Sequence, residues 1–165
     1  MKGLQKVFDV AYKIIMYTVA LALGVMILVA FLEVIRRYLL GKSFLWAEDL
    51  IKYLIVYVAF IGGAAAYRDN NLASLDLLTR LFPKRVQLYI EILVNIIITA
   101  LVFFLIYYSY KCVIAPSISR SVGIGLKIPL WIPYSSMPVG FVAMAIFSLE
   151  KFIEMFGRLK GGIGK

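Results

Sequence analysis

The chain has no histidine and one cysteine, Cys112, and four long stretches of it carry no charged residue. A single cysteine excludes an intramolecular disulfide. With the imidazoles missing as well, zinc, haem and iron–sulfur centres lose their usual ligands, so no metal or cofactor is expected. Cys112 stands at the end of the third expected helix and reads as an interfacial residue, with a redox or lipidated thiol as the sharper alternative. Acidic residues number nine, and Glu33, Glu48, Asp49, Glu91 and Glu150 all stand at run ends. Acids deep within a span are what proton relays and coupled drug antiporters are built on, and their absence argues against both. No Ser/His pair, paired Asp or metal cluster falls at a useful spacing, so no enzyme activity is expected.

What is present is apolar. Residues 14–32, 53–67, 92–110 and 128–149 form uncharged runs of 19, 15, 19 and 22 residues. About 20 residues cross a hydrocarbon core about 30 Å thick. The 15-residue run reaches only about 22 Å, so it must borrow from residues 44–52 or sit in a thinned bilayer. A hydrophobic share of 63% exceeds the roughly 45–50% of soluble domains. The expected fold is an all-α integral membrane protein over residues 1–165. It is a single domain of four transmembrane helices at about 14–32, 46–67, 92–110 and 128–149. The first run is longer than a removable signal segment of about 7–15 residues, and no small-residue cleavage site follows it, so it is expected to be retained. The polar intervals leave no room for a soluble domain.

Eleven of the eighteen Lys and Arg residues fall on the side of the termini and the second loop, and seven on the other side. By the positive-inside rule both termini are expected in the cytoplasm. The net charge of +9 is accounted for by membrane lipid, since basic flanks contact anionic headgroups; no nucleic-acid partner is expected.

The spans carry packing signals. Ala20 and Gly24, Ala59 and Gly63, Gly62 and Ala66, and Ser136 and Gly140 are small-xxx-small pairs that let helix backbones approach closely. The cluster at 62–66 marks Ala59, Gly62, Gly63 and Ala66 as a close-packing face, toward another span of the chain or toward a partner. Asn95 and Thr99 share one helix face and could hydrogen-bond a neighbouring helix. Between the first two spans Gly41 supplies a helix stop and Ser43 a helix N-cap. The hairpin so formed brings Arg36 and Arg37 toward Glu48 and Asp49, with Trp46 in the interfacial belt. These charges form either a solvated surface, a latch fixing the hairpin, or a contact with a partner subunit. Leu72, Leu75, Leu78 and Phe82 have the spacing of a short interfacial amphipathic helix closed by Pro83, the alternative being a loop. In the fourth span Pro129 suits a first turn, whereas Pro133 and Pro138 remove backbone hydrogen bonds and predict a kink or late start, with Trp131, Tyr134 and Gly140 at an interface.

Taken in order, these fragments are familiar. Arg37-Tyr38, Trp46-Ala-Glu48-Asp49, Gly62-Gly-Ala-Ala-Ala-Tyr67-Arg68, Asp76, Ile128-Pro-Leu-Trp131, Tyr134 and Pro138-Val-Gly140 resemble the small membrane subunit of the tripartite ATP-independent periplasmic (TRAP) transporters, the DctQ-like family. One departure is that Asn70-Asn71-Leu72 stands where the family often has a histidine. The resemblance implies a bacterial inner-membrane protein that buttresses a large elevator-type membrane subunit in sodium-coupled uptake of an organic acid, of the sialic acid or C4-dicarboxylate class. A periplasmic substrate-binding protein would deliver that acid. The competing expectation is an autonomous homo-oligomeric transporter or channel, with Asn95 and Thr99 on its path.

Overall fold

The computed structural model describes residues 2–69 and 84–160. The amphipathic segment expected at 72–82 lies outside the described residues. Within them the chain forms α1 (Lys2–Leu40), α2 (Leu45–Arg68), α3 (Lys84–Ile114), the one-turn helices α4 (Pro116–Ser119) and α5 (Trp131–Tyr134), and α6 (Ser136–Lys160). Four helical stretches are long and apolar enough to cross a membrane: Lys6–Leu40, Leu45–Arg68, Tyr89–Ile114 and Trp131–Met155. No strand ladder occurs among the described residues, only an isolated antiparallel bridge between Val122 and Pro129.

No proline interrupts the first 40 residues, so α1 does not stop where its charge-free run stops at Leu32. Its 39 residues reach about 58 Å, nearly twice the hydrocarbon thickness. Gly41 ends it at a φ of +64°, the left-handed conformation that glycine adopts without steric penalty. The N-cap of α2 is Phe44 rather than Ser43, and its own side chain makes no capping bond. A carboxylate from the preceding helix takes that role: Glu33 accepts the Phe44 N–H at 3.0 and 3.2 Å and the Ser43 hydroxyl at 2.5 Å. With 24 residues, α2 spans about 36 Å by borrowing the polar start of the helix.

The fourth span is broken rather than continuous. Residues 128–130 belong to the preceding hairpin, so the helix starts late, at Trp131, and pauses at Ser135 between α5 and α6. Pro133 and Pro138 lack the N–H groups that would bond the carbonyls one turn earlier. Hydroxyls gather around the break. Tyr57 Oη donates to the Ile132 carbonyl at 2.8 Å and lies 2.8 Å from Ser135 Oγ, while Ser136 Oγ donates to the Pro133 carbonyl at 2.7 Å.

Packing follows the order α1 on α2, α2 on α6 and α6 on α3. The spans therefore stand largely in a row, with α1 and α3 at the edges. The accessible surface is 11572 Å², against about 8,200 Å² for a compact soluble chain of this mass. The central pair approaches closely. A Cβ on Gly140 would lie 2.7 Å from Phe60 Cβ and 2.8 Å from the Phe60 carbonyl carbon, so α6 and α2 touch nearly backbone to backbone. The Phe60 and Phe141 rings meet edge to face at 5.4 Å beside that contact. Ala64, Tyr67 and Phe147 form the buried centre, with Tyr12, Ile15, Ile98, Ala143 and Met144 around it.

Candidate functional site: two polar collars and an uncharged middle

At the end of the row that holds the termini, Arg68 in the last turn of α2 reaches Glu150 on α6. Nε donates to one carboxylate oxygen and Nη2 to the other, both at 2.7 Å. The same Nη2 donates to Asp9 of α1 at 2.5 Å. The Glu150 side chain is 7% exposed and that of Arg68 16%, whereas Asp9 is 58% exposed. The guanidinium also lies 4.9 Å from the Tyr12 ring centre and 5.6 Å from that of Phe147. Tyr12 in turn donates to Asp69 at 2.5 Å. One cation thus binds three helices.

The fourth element joins through uncharged groups. Tyr67 donates its hydroxyl to the Asn95 side-chain oxygen of α3. Asn95 Nδ2 donates to the Ser148 carbonyl at 3.4 Å, and Thr99 and Ser148 share a hydroxyl contact of 2.5 Å. Asn95 and Thr99 therefore bond to neighbouring helices and to each other, with Thr99 also donating to the Asn95 carbonyl at 2.6 Å. Such interhelical bonds contribute about 0.6 kcal/mol each in lipid, so the ion triad dominates this collar.

The opposite collar is built around the α1–α2 turn. Besides Glu33 on Ser43 and Phe44, the Arg36 guanidinium lies 3.4 Å from the centre of the Phe44 ring, which meets the Trp46 ring at 5.2 Å, tilted by 54°. Glu48 pairs with Lys52 at 2.6 Å, both well exposed. Asp49 accepts the backbone N–H groups of Gly125 at 2.8 Å and Leu126 at 3.3 Å. It thereby holds the hairpin that precedes α5 against the start of α2. No salt bridge joins Arg36 or Arg37 to Glu48 or Asp49 among the described residues. The reason is competition: Glu33 and Asp49 are occupied by backbone amides, Glu48 by the lysine one turn on, and Arg36 by an aromatic face.

The two collars are spaced like a bilayer. Asp49 and Arg68 are 19 residues apart on α2, about 29 Å of rise, close to the roughly 30 Å hydrocarbon core. Apart from Lys13 and Lys52, each within about a turn of its collar, the four spans carry no charged side chain between the collars. Among the described residues no three His, Cys, Asp or Glu residues gather as a metal site would need.

The remaining expected residues are distributed unevenly. Ala59 is exposed, Gly62 faces Val19 of α1 at an ordinary 3.7 Å, Gly63 has no atom within 4 Å of its Cβ position, and Ala66 is half-buried. Ala47, Ala64 and Ala65 are the buried alanines of α2. Pro129 lies in the hairpin, where its carbonyl accepts the Ile132 N–H at 3.1 Å. Trp131 is exposed at the head of α5, Tyr134 and Pro138 are half-buried, and Gly140 is buried at the α2 contact. The Arg68–Glu150–Asp9 triad was not singled out from sequence. Its signal was available, since an arginine and a glutamate directly end two runs that finish on the same side.

An uncharged row of four spans bounded by two collars defines a multi-pass membrane subunit whose interior is made for packing. Residues 26–158 match the family described as tripartite ATP-independent periplasmic transporters, DctQ component. The chain belongs to that family, and is accordingly a TRAP small permease subunit of the bacterial inner membrane. It is 25% identical over 125 residues to the sialic acid TRAP transporter small permease protein SiaQ of Vibrio cholerae, covering 76% of this chain and 71% of that one. It is 26% identical over 130 residues to the ectoine TRAP transporter small permease protein TeaB of Halomonas elongata, covering 78% and 67%. It is also 28% identical over 124 residues to the sialic acid TRAP transporter permease protein SiaT of Haemophilus influenzae. That alignment covers 74% of this chain but only 19% of SiaT, so the chain spans about a fifth of that relative's length.

Proposed function

We propose that this chain is the stationary, non-catalytic brace of a sodium-coupled TRAP transporter for an organic acid, with both termini in the cytoplasm. It widens the fixed scaffold of a large elevator-type membrane subunit. The observation that carries this reading is the uncharged middle between the collars, where the polar groups of the described residues bond to one another rather than line a path for an ion or substrate. Asn95 and Thr99, the residues an autonomous channel would need, are engaged by Tyr67 and Ser148. The relation to SiaT supports a larger partner, because four-fifths of that permease lies outside the region matched here. The named relatives carry sialic acid and ectoine, which supports a carboxylate substrate without choosing among carboxylates.

For the contact with the large subunit we assign the outward small residues of α2. Ala59 and Gly63 are one turn apart and open, which suits close approach of a foreign helix. The test is co-purification from the native host with a tag on this chain. Gly63→Trp is expected to cut recovery of the large subunit at least fivefold while leaving the amount of this chain in the membrane unchanged. Normal recovery would remove this face from the interface.

A further inference from the structure

The outer edge of α3 carries an aromatic cluster beside an unpaired cation. Phe104, Tyr107 and Tyr108 are each more than half exposed. The Phe104 and Tyr108 rings meet at 4.4 Å, and Tyr108 meets Tyr107 edge to face at 5.4 Å. Lys111, the first charged residue after the uncharged run of α3, holds its ammonium 4.6 Å from the centre of the Tyr107 ring. This lysine is exposed and has no carboxylate oxygen within 4 Å among the described residues. The hydroxyls of Tyr107 and Tyr108 make no hydrogen bond among them either.

Depth gives the cluster its meaning. Asn95 of the same helix lies in the collar at the termini end, bonded to Tyr67 and to Ser148. Lys111 follows 16 residues later, about 24 Å of rise, near the far face of a hydrocarbon layer about 30 Å thick. A lysine at that level ordinarily stretches its stem outward so that the ammonium reaches water. Helical side chains lean toward the N-terminus of their helix, and the N-terminus of α3 is on the opposite side of the membrane. The Lys111 stem follows that lean, back over Tyr107 and one turn deeper, to the level where lipid glycerol and phosphate groups meet acyl chains. A cation held there without a carboxylate attracts an anionic headgroup. The ammonium and two phenol hydroxyls supply three donors for phosphodiester oxygens, and the rings form an apolar bed for the adjoining glycerol and acyl chain. The acids at this end of the bundle, Glu33, Glu48 and Asp49, are engaged within the chain. None is free to receive the ammonium of a zwitterionic lipid, so the charge selects a headgroup of net negative sign.

We infer that Phe104, Tyr107, Tyr108 and Lys111 form a binding site for one anionic phospholipid, of the phosphatidylglycerol kind, on the outer edge of α3. The site depends on α3 crossing the membrane and is independent of the bracing role. The test uses the full chain co-purified with its large subunit in mild detergent. The complex is titrated with phosphatidylglycerol or phosphatidylethanolamine of the same acyl chains, and bound lipid is counted by native mass spectrometry. The wild type is expected to hold one more phosphatidylglycerol than Lys111→Gln, with at least fivefold preference over phosphatidylethanolamine for that extra molecule. Lys111→Arg should retain it, and Tyr107→Phe with Tyr108→Phe should weaken it at least threefold. Soluble glycerol phosphate should not displace it, because the rings hold the part of the lipid that glycerol phosphate lacks. Equal retention by the wild type and Lys111→Gln would overturn the inference, as would equal binding of the two lipids or displacement by glycerol phosphate. Loss of the large subunit from Lys111→Gln would overturn it too, since this edge would then face protein rather than lipid.

Discussion

Neutralising Glu150 by Glu150→Gln should loosen the chain more than any other single polar change. The substitution keeps the shape but removes the charge that accepts two hydrogen bonds from Arg68, each 2.7 Å long. A hydrogen bond to a charged group is worth about 1.5–3 kcal/mol, and breaking a buried pair on one side costs about 3–5 kcal/mol in total. Arg68 retains Asp9, which is mostly exposed and screened, so we set the loss near the lower bound, about 3 kcal/mol. For a chain of 165 residues that corresponds to a melting shift of roughly 6–12 °C, taking about 2–4 °C per kcal/mol. The shift is measured by tryptophan fluorescence on heating in mild detergent, with Trp46 and Trp131 as reporters. The double variant Arg68→Gln with Glu150→Gln should be less destabilised than the sum of the two single variants, because no uncompensated charge remains. A shift below about 1 °C in Glu150→Gln, or a double variant that falls by the full sum, would refute the triad as the main tie of this collar.

Gly140→Ala should cost about 1–3 kcal/mol by forcing α6 off the Phe60 backbone, read in the same melt, while Gly63→Ala should leave it unchanged. Asp49→Ala leaves two hairpin amides without an acceptor, so Gly125 and Leu126 should exchange hydrogen for deuterium at least tenfold faster than in the wild type, with α2 unaffected. Tyr57→Phe removes the hydroxyl that ties α2 to the Ile132 carbonyl at the α5–α6 break, a carbonyl that keeps the Ser135 N–H and hydroxyl, and should cost about 1 kcal/mol, visible as a small melting shift. Reversing charge with Glu33→Lys removes the acceptor of the Phe44 N–H and should lower the amount of folded chain in the membrane, measured by in-gel fluorescence of a tagged copy.

Charge-free runs located all four spans, because burial in lipid leaves no other composition for a crossing helix. Their ends were less legible. Charge signals where hydrocarbon stops, whereas a helix stops only at a breaker, so α1 continues beyond Leu32 until Gly41 turns the backbone. The prolines at 133 and 138 announced an irregular fourth span, but only tertiary structure reveals that Tyr57 reaches across from α2 to serve the break. Glu48 and Asp49 share a short charged stretch with Arg36 and Arg37, yet their partners are set by which face of α2 each occupies. Asp49 faces a hairpin some 75 residues away in sequence, and no local pairing rule points there. The small residues of α2 were visible as a group, while the division into Gly62 toward α1 and Gly63 toward open space follows from the rotation of one helix against its neighbours.

The most direct test of a brace that carries no path of its own is uptake by proteoliposomes made with this chain alone, with the large subunit alone, and with both, each supplied with the binding protein and a sodium gradient. Flux that needs both membrane components, with none from this chain alone, is the expected result. Uptake by this chain alone as a homo-oligomer, or undiminished uptake by the large subunit without it, would contradict the proposed role.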